Sequence, residues 1–196
     1  GELTKASLSP KATMLGKRQF AWAKESLADS KATWNVLANQ VIMALIDLKK
    51  GPENLFPTDE WSGYVYERNQ LMKFINDRKI ANTVVITGDN HANWVNDLRV
   101  DDLQTETPVV ATEFVGTSIS SGGNGSEGRE RARALMAENP GVHFHNHERG
   151  YVRCTLTPNM WRSDFRTVAQ IDKPGAPLVT RASYVVEAGK AGAKPA

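Results

Sequence analysis

Asp89 and His91 stand two residues apart, directly after the run Thr83-Val84-Val85-Ile86-Thr87-Gly88. A carboxylate suits a hard divalent ion, and an imidazole suits iron, zinc or manganese. The pair therefore reads as two donors to a catalytic metal. A short β-branched run closed by a glycine predicts a buried strand over 83–88. A turn leaving the carboxyl end of such a strand points into the crevice where α/β proteins bind ligands. The plain alternative is a turn aspartate that caps the next segment, with His91 satisfied by a backbone carbonyl. Asp-x-His occurs by chance in many proteins, so the pair needs support from its neighbours.

Three other groups carry potential chemistry. His143, His145 and His147 alternate along a predicted strand and would share one face, as zinc or copper ligands or as a half-buried polar face. Against one ion for all three, positions i and i+4 of a strand lie about 13 Å apart. Asp59-Glu60-Trp61-Ser62-Gly63-Tyr64 leads into a predicted helix. Asp59 there is either an N-terminal cap or a site residue, with Trp61 and Tyr64 as an aromatic wall for substrate. The Ser/Gly loop 116–128 can cradle a phosphate through backbone amides. It lacks the Lys-Ser/Thr ending of a nucleotide-triphosphate loop, and no Gly-x-Ser-x-Gly elbow is present. Cys154, the only cysteine, excludes an internal disulfide and reads as a small core residue.

The bulk composition bounds the rest. A chain of 196 residues, 40% hydrophobic and 23% charged, suits one globular domain with a real core. Its 24 basic and 22 acidic residues leave a net charge of +2, which argues against a dedicated nucleic-acid or membrane-surface binder. No apolar run approaches the roughly 18 residues of a membrane span. Gly1 to Pro10 is polar and does not read as a signal peptide.

The elements that must position these groups follow an α/β rhythm. Residues 1–13 read as a leading tail or loop. A helix is expected over 15–30, with Leu15, Gln19, Trp22, Ala23 and Leu27 inward. A buried strand is expected within 32–43, a polar loop over Lys49 to Glu60, and a helix over about 63–78 on Tyr64, Arg68, Leu71, Met72 and Ile75. The strand 83–88 comes next. Residues 91–103 are polar, 109–115 reads as a strand and 127–138 as a helix. The β-rich stretches 142–147, 150–157, 160–170 and 179–187 are joined by short turns, which imply antiparallel pairing. Residues 188–196 read as a frayed tail. Helices alternating with strands point to parallel strands with helices packed on the sheet.

Several motifs in this order resemble one family. They are Met14-Leu15-Gly16-Lys17-Arg18-Gln19-Phe20-Ala21-Trp22, Trp34-Asn35-Val36-Leu37-Ala38-Asn39-Gln40-Val41, and Asp59-Glu60-Trp61-Ser62-Gly63-Tyr64. Thr87-Gly88-Asp89-Asn90-His91 follows, then Ala111-Thr112-Glu113-Phe114 with Ser118 to Gly122, and Arg149-Gly150-Tyr151. Together they are similar to the carboxyl-terminal half of PhoD-like alkaline phosphatases, metallophosphoesterases that also include bacterial phospholipase D enzymes.

The resemblance implies an α/β fold in which two sheets form a ββ sandwich flanked by helices, in four layers α/β/β/α. It implies a binuclear site at strand ends, with Fe3+ beside a divalent ion, often Ca2+, with Mn2+ or Zn2+ as alternatives. Asp89 would bind the divalent ion and His91 the iron. Activity would be hydrolysis of a phosphoric ester by a metal-activated water. The other family ligands, a Cys, a bridging Asp, a Tyr and an Asn, belong to an amino-terminal half that these residues do not contain, and Cys154 lies in the wrong motif to be one of them. Residues 1–196 are thus expected to be half of one catalytic domain, completed by the amino-terminal half as a second chain, and to work in a secreted or periplasmic setting. The substrate would be a phosphate ester or, for a phospholipase D, a phosphatidylcholine-type diester with Trp61, Tyr64 and Trp94 as a lipid-facing rim. The rival readings are a non-catalytic partner module and a His-rich metal-binding protein.

Overall fold

Short β-branched runs build the centre of the molecule. In the computed structural model, which describes residues 1–196, β1 (Asn35–Asn39), β2 (Thr83–Thr87) and β4 (Val109–Val115) run parallel. β3 (Asn93–Arg99) lies antiparallel to β4 and to β5 (Val142–Asn146), which closes a sheet of order β1-β2-β4-β3-β5. The parallel strands all end on one side, at Asn39, Thr87 and Val115.

Three helices cover one face of this sheet. They are α1 (Gly16–Asp29), α2 (Val65–Asp77) and α3 (Arg129–Glu138). Leu71, Met72 and Ile75 of α2 recur at helical spacing and pack with Leu27, Leu135, Val85, Trp94 and Leu98. The other face meets a second, antiparallel sheet of β6 (Arg149–Leu156), β7 (Met160–Val168), β8 (Val179–Glu187) and β9 (Lys194–Pro195). Val84, Val95 and Phe114 from the first sheet interlock there with Trp161, Phe165, Tyr184 and Val186. The Phe144 and Phe165 rings meet at 5.0 Å between centroids. These residues therefore supply helices, sheet and sheet, three layers of the expected four.

Trp34 Nε1 donates to Thr157 O at 2.7 Å, which brings the free edge of β1 and the free edge of β6 to the same side of the sandwich. Val36 is opposite Val84, so it faces the second sheet, as does Ile86. Val36 is 44% exposed there, and Leu156 of β6 is 46% exposed. Two sheet edges and the apolar interior between them are open along this side.

Several local expectations change. Trp22 is 62% exposed, and only Leu27 of α1 is buried. The strand within 32–43 is β1 alone, a half-exposed edge rather than a buried strand. The buried part is Ile42–Ile46, which has no regular structure. The polar stretch 91–103 contains β3, in which buried Asn93 and Asn96 donate their side-chain Nδ2 groups to Asn146 Oδ1 and Glu113 Oε2. The segment 188–196 is tied down: Gly189 N donates to Asn82 Oδ1, Ala193 N to Asp97 Oδ1, and β9 pairs with β8. Residues 1–13 are anchored too, by Gly1–Phe56 and Val65–Ser7 backbone bonds.

Candidate active site

β2 runs into Gly88, and the chain then makes a turn that ordinary residues avoid. Asp89 has φ 63° and His91 has φ 56°. A left-handed conformation costs a non-glycine residue on the order of 1–2 kcal/mol, and such strain collects at functional sites. What holds the turn is Asn90. Its backbone N–H donates to Gly88 O at 2.7 Å. Its side-chain Oδ1 accepts from Trp94 Nε1 at 2.9 Å, and Nδ2 donates to Glu60 Oε1 at 3.4 Å. With Asn90 tethered inward, its neighbours Asp89 and His91 are exposed.

Beneath the turn lies a buried polar network. Thr87 Oγ1 donates to Glu113 Oε1 at 2.7 Å and accepts from Asn39 Nδ2 at 3.5 Å. Asn39 Oδ1 accepts from Trp61 Nε1 at 3.1 Å. Trp61 is buried, so its indole supports the site from below and is not an open wall for substrate. Asp59 is exposed and Tyr64 half-buried beside it. Asp59 is no helix cap: α2 begins after Tyr64 without a side-chain cap. Next to Asp59, Glu60 is buried, and its carboxyl is pushed up to about 7. Burial is the main cause; the carboxylates of Glu113, Asp59 and Asp89 add to it.

Arg149 closes the other flank. Its guanidinium donates to His91 O, to Gly123 O at 2.8 Å and to Gly122 O at 3.3 Å, and it reaches the hydroxyls of Thr117 and Ser118. The Ser/Gly loop is thereby wrapped around one side chain and held against His91. Gly125 is required by that wrapping, since a Cβ there would lie 1.9 Å from His147 O. Asn93 Oδ1 accepts from Thr117 N at 3.2 Å and fixes the start of the loop.

The histidine row does not form. Val95 pairs with Phe144 and Asn96 with Val142, so His143 is the extra residue of a β-bulge. A bulge breaks the period of two. His143 Nε2 meets Asp97 Oδ2 at 2.8 Å, while His145 stacks on Trp94 with centroids 3.5 Å apart. His145 and His147 touch through their Nε2 atoms at 2.9 Å. Burial, then the neighbouring His147, holds the His145 imidazole down at about 3, so it is neutral at ordinary pH. Trp94, under this stack, is buried and forms no rim. Cys154 is exposed rather than core, and partial burial of its thiol pushes the pKa up, away from a reactive thiolate.

No three His, Cys, Asp or Glu side chains converge on a common point. Asp89 and His91 fit a metal as two outward donors of suitable type on a strained, anchored turn. A full coordination shell needs donors from outside these residues.

Residues 2–165 match the family model described as PhoD-like phosphatase. The chain belongs to the PhoD-like phosphatase family. It is 41% identical over 186 residues to alkaline phosphatase D of Bacillus subtilis (strain 168), across 95% of this chain and 32% of that protein. A solved structure described as that of PhoD superposes with a TM-score of 0.90 at 39% identity, over 98% of this chain and 37% of the other. The chain thus spans about a third of the length of these PhoD-like relatives. In this family member Asn90, Glu60, Glu113, Asn39 and Arg149 organise the turn, although sequence reasoning assigned none of them a role. The available signal was a charged residue inside an apolar strand, Glu113 in Val109–Val115.

Proposed function

We propose that these residues form the carboxyl-terminal part of a metal-dependent phosphoric ester hydrolase of the alkaline phosphatase type. The observation that carries this reading is the turn Gly88–His91. It sets a carboxylate and an imidazole outward in strained conformations at the carboxyl ends of parallel strands, in a PhoD-like chain. Asp89 and His91 would each give one donor, to a divalent ion such as calcium and to iron respectively. When bound, such ions neutralise an ester phosphate and acidify a water. The remaining donors would come from the rest of the catalytic fold, in the same polypeptide or a second chain. The open β1 and β6 edges support a docking side for it. Export from the cytoplasm is the matching expectation for its setting. No helix is long and apolar enough to cross a membrane.

Within the site, Asp59 and Tyr64 are the residues of the 59–64 turn left open to contact substrate. Burial of Trp61 and Trp94 leaves Tyr64 as the single open aromatic of the expected rim, which does not favour a lipid diester over a simple phosphate ester. The test is hydrolysis of a phosphomonoester, a simple diester and phosphatidylcholine by the complete protein, with iron and calcium measured on the same preparation. Asp89→Asn and His91→Ala are expected to lose about 100-fold or more in turnover with unchanged circular dichroism. Near-native rates in both variants would overturn the metal assignment.

A further inference from the structure

Glu113 sits in β4, between β2 and β3, and is 0% exposed. Its two oxygens accept four hydrogen bonds. Oε1 accepts from Met43 N at 2.8 Å and Thr87 Oγ1 at 2.7 Å. Oε2 accepts from Ala44 N at 3.1 Å and Asn96 Nδ2 at 3.0 Å. All four partners can donate and so lower the carboxyl's pKa, but burial outweighs them and pushes it up. No Lys or Arg is among them. A buried anion without a cation is costly, and an apolar residue on a central strand would avoid the cost. The carboxylate is therefore poor as a source of stability.

What it adds to the strand ladders is one side chain that ties the irregular segment after β1 to both β2 and β3. Ile42–Ile46 is buried without a ladder, so its amides need partners. Glu113 satisfies Met43 and Ala44, and Asp102 satisfies Leu45. Thr87 is the last residue of β2, one before Gly88. Asn96 belongs to β3, which leaves the turn on its other side. The same carboxylate thus grips the segment after β1, the exit of β2 and the strand that follows Asp89 and His91.

We propose that Glu113 is a positioning residue for the candidate metal turn: it fixes the exit of β2, and through Thr87 the placement of Gly88–His91, without touching metal or substrate. The metal arm of this proposal rests on the function proposed above; the conformational arm does not.

The test uses the complete protein with Glu113→Gln, Thr87→Val and, as a control in the inter-sheet core, Phe165→Leu. Hydrogen exchange at the Asn90 amide, which donates to Gly88 O, is expected to rise at least tenfold in metal-free Glu113→Gln and Thr87→Val. It is expected to stay within about twofold of wild type in Phe165→Leu. Loss of metal to a chelator is expected to follow the same order, with kcat of Thr87→Val restored at saturating metal. Unchanged exchange at Asn90 in Thr87→Val overturns the proposal, and this variant carries the test if Glu113→Gln does not fold. An equal rise in Phe165→Leu reduces Glu113 to general stability and overturns it as well. Wild-type protein that holds no metal defeats the functional reading alone, and the exchange result still decides the role of Glu113.

Discussion

Trp94 Nε1 and Asn90 Oδ1 are joined by a 2.9 Å hydrogen bond, so a core indole in β3 holds the one residue between two candidate metal donors. Trp94→Phe keeps the ring and removes the donor. It is expected to cost about 1 kcal/mol of stability, read by urea unfolding. It should also speed metal loss to a chelator more than an equally destabilising change in the second sheet. Equal rates of loss would detach Asn90 from the role given to it.

The left-handed conformations of Asp89 and His91 predict opposite effects on stability and activity. Asp89→Gly and His91→Gly should each raise metal-free stability by a few tenths to about 1 kcal/mol, by relieving backbone strain. Turnover should fall in both. Asp89→Asn tolerates the same φ and should leave stability unchanged. Thermal unfolding of the metal-free protein checks this; a loss of stability on glycine substitution would mean the turn is unstrained.

His143 is one pH-sensitive tie of the fold. The Asp97 hydrogen bond, opposed in part by burial, holds its pKa above the usual 6.5. The folded pKa therefore exceeds the unfolded one, and protonation favours folding. The contribution is complete below about pH 6.5 and fades as pH rises through the folded value. His143→Gln should remove the His143 share of the fall in urea midpoint above about pH 6.5, leaving the slopes that Glu60 and His145 supply. The same slope in wild type and variant would place the titration elsewhere.

The open side predicts the behaviour of residues 1–196 in isolation. Val36 and Leu156 expose apolar surface beside unpaired strand edges, which invites self-association. Val36→Lys with Leu156→Lys is expected to shift sedimentation toward monomer. In the complete protein the same pair should lower the yield of folded material. A well-folded complete protein carrying both lysines would show that this side stays open.

Period and composition made most elements legible. The apolar spacing of α2 and the β-branched runs of β2 and β4 appear where they are expected, because burial imposes those patterns directly. β3 was hidden because its buried asparagines look like loop residues until their partners are known. The histidine row failed for a different reason. A single inserted residue, His143, redirects side chains without leaving a mark in the composition. Asp89 and His91 were legible by residue type only as candidate donors. Their support was not, since Asn90 depends on Trp94, Thr87 on Glu113, and His91 on Arg149, contacts that only the closed sheet creates.

The bonds around Glu113 also set an order of events in folding. Met43 and Glu113 are 70 residues apart in the chain, and Asn39 and Thr87 are 48 apart. Contacts at such separation form late, after the loops between them close. The strand before the turn can form early, but the fixed shape of Gly88–His91 waits for β4 to insert between β2 and β3. A nascent chain therefore carries Asp89 and His91 as two loose side chains with little hold on a passing ion. On the proposed function, capture of an ion by Asp89 and His91 waits for completed topology.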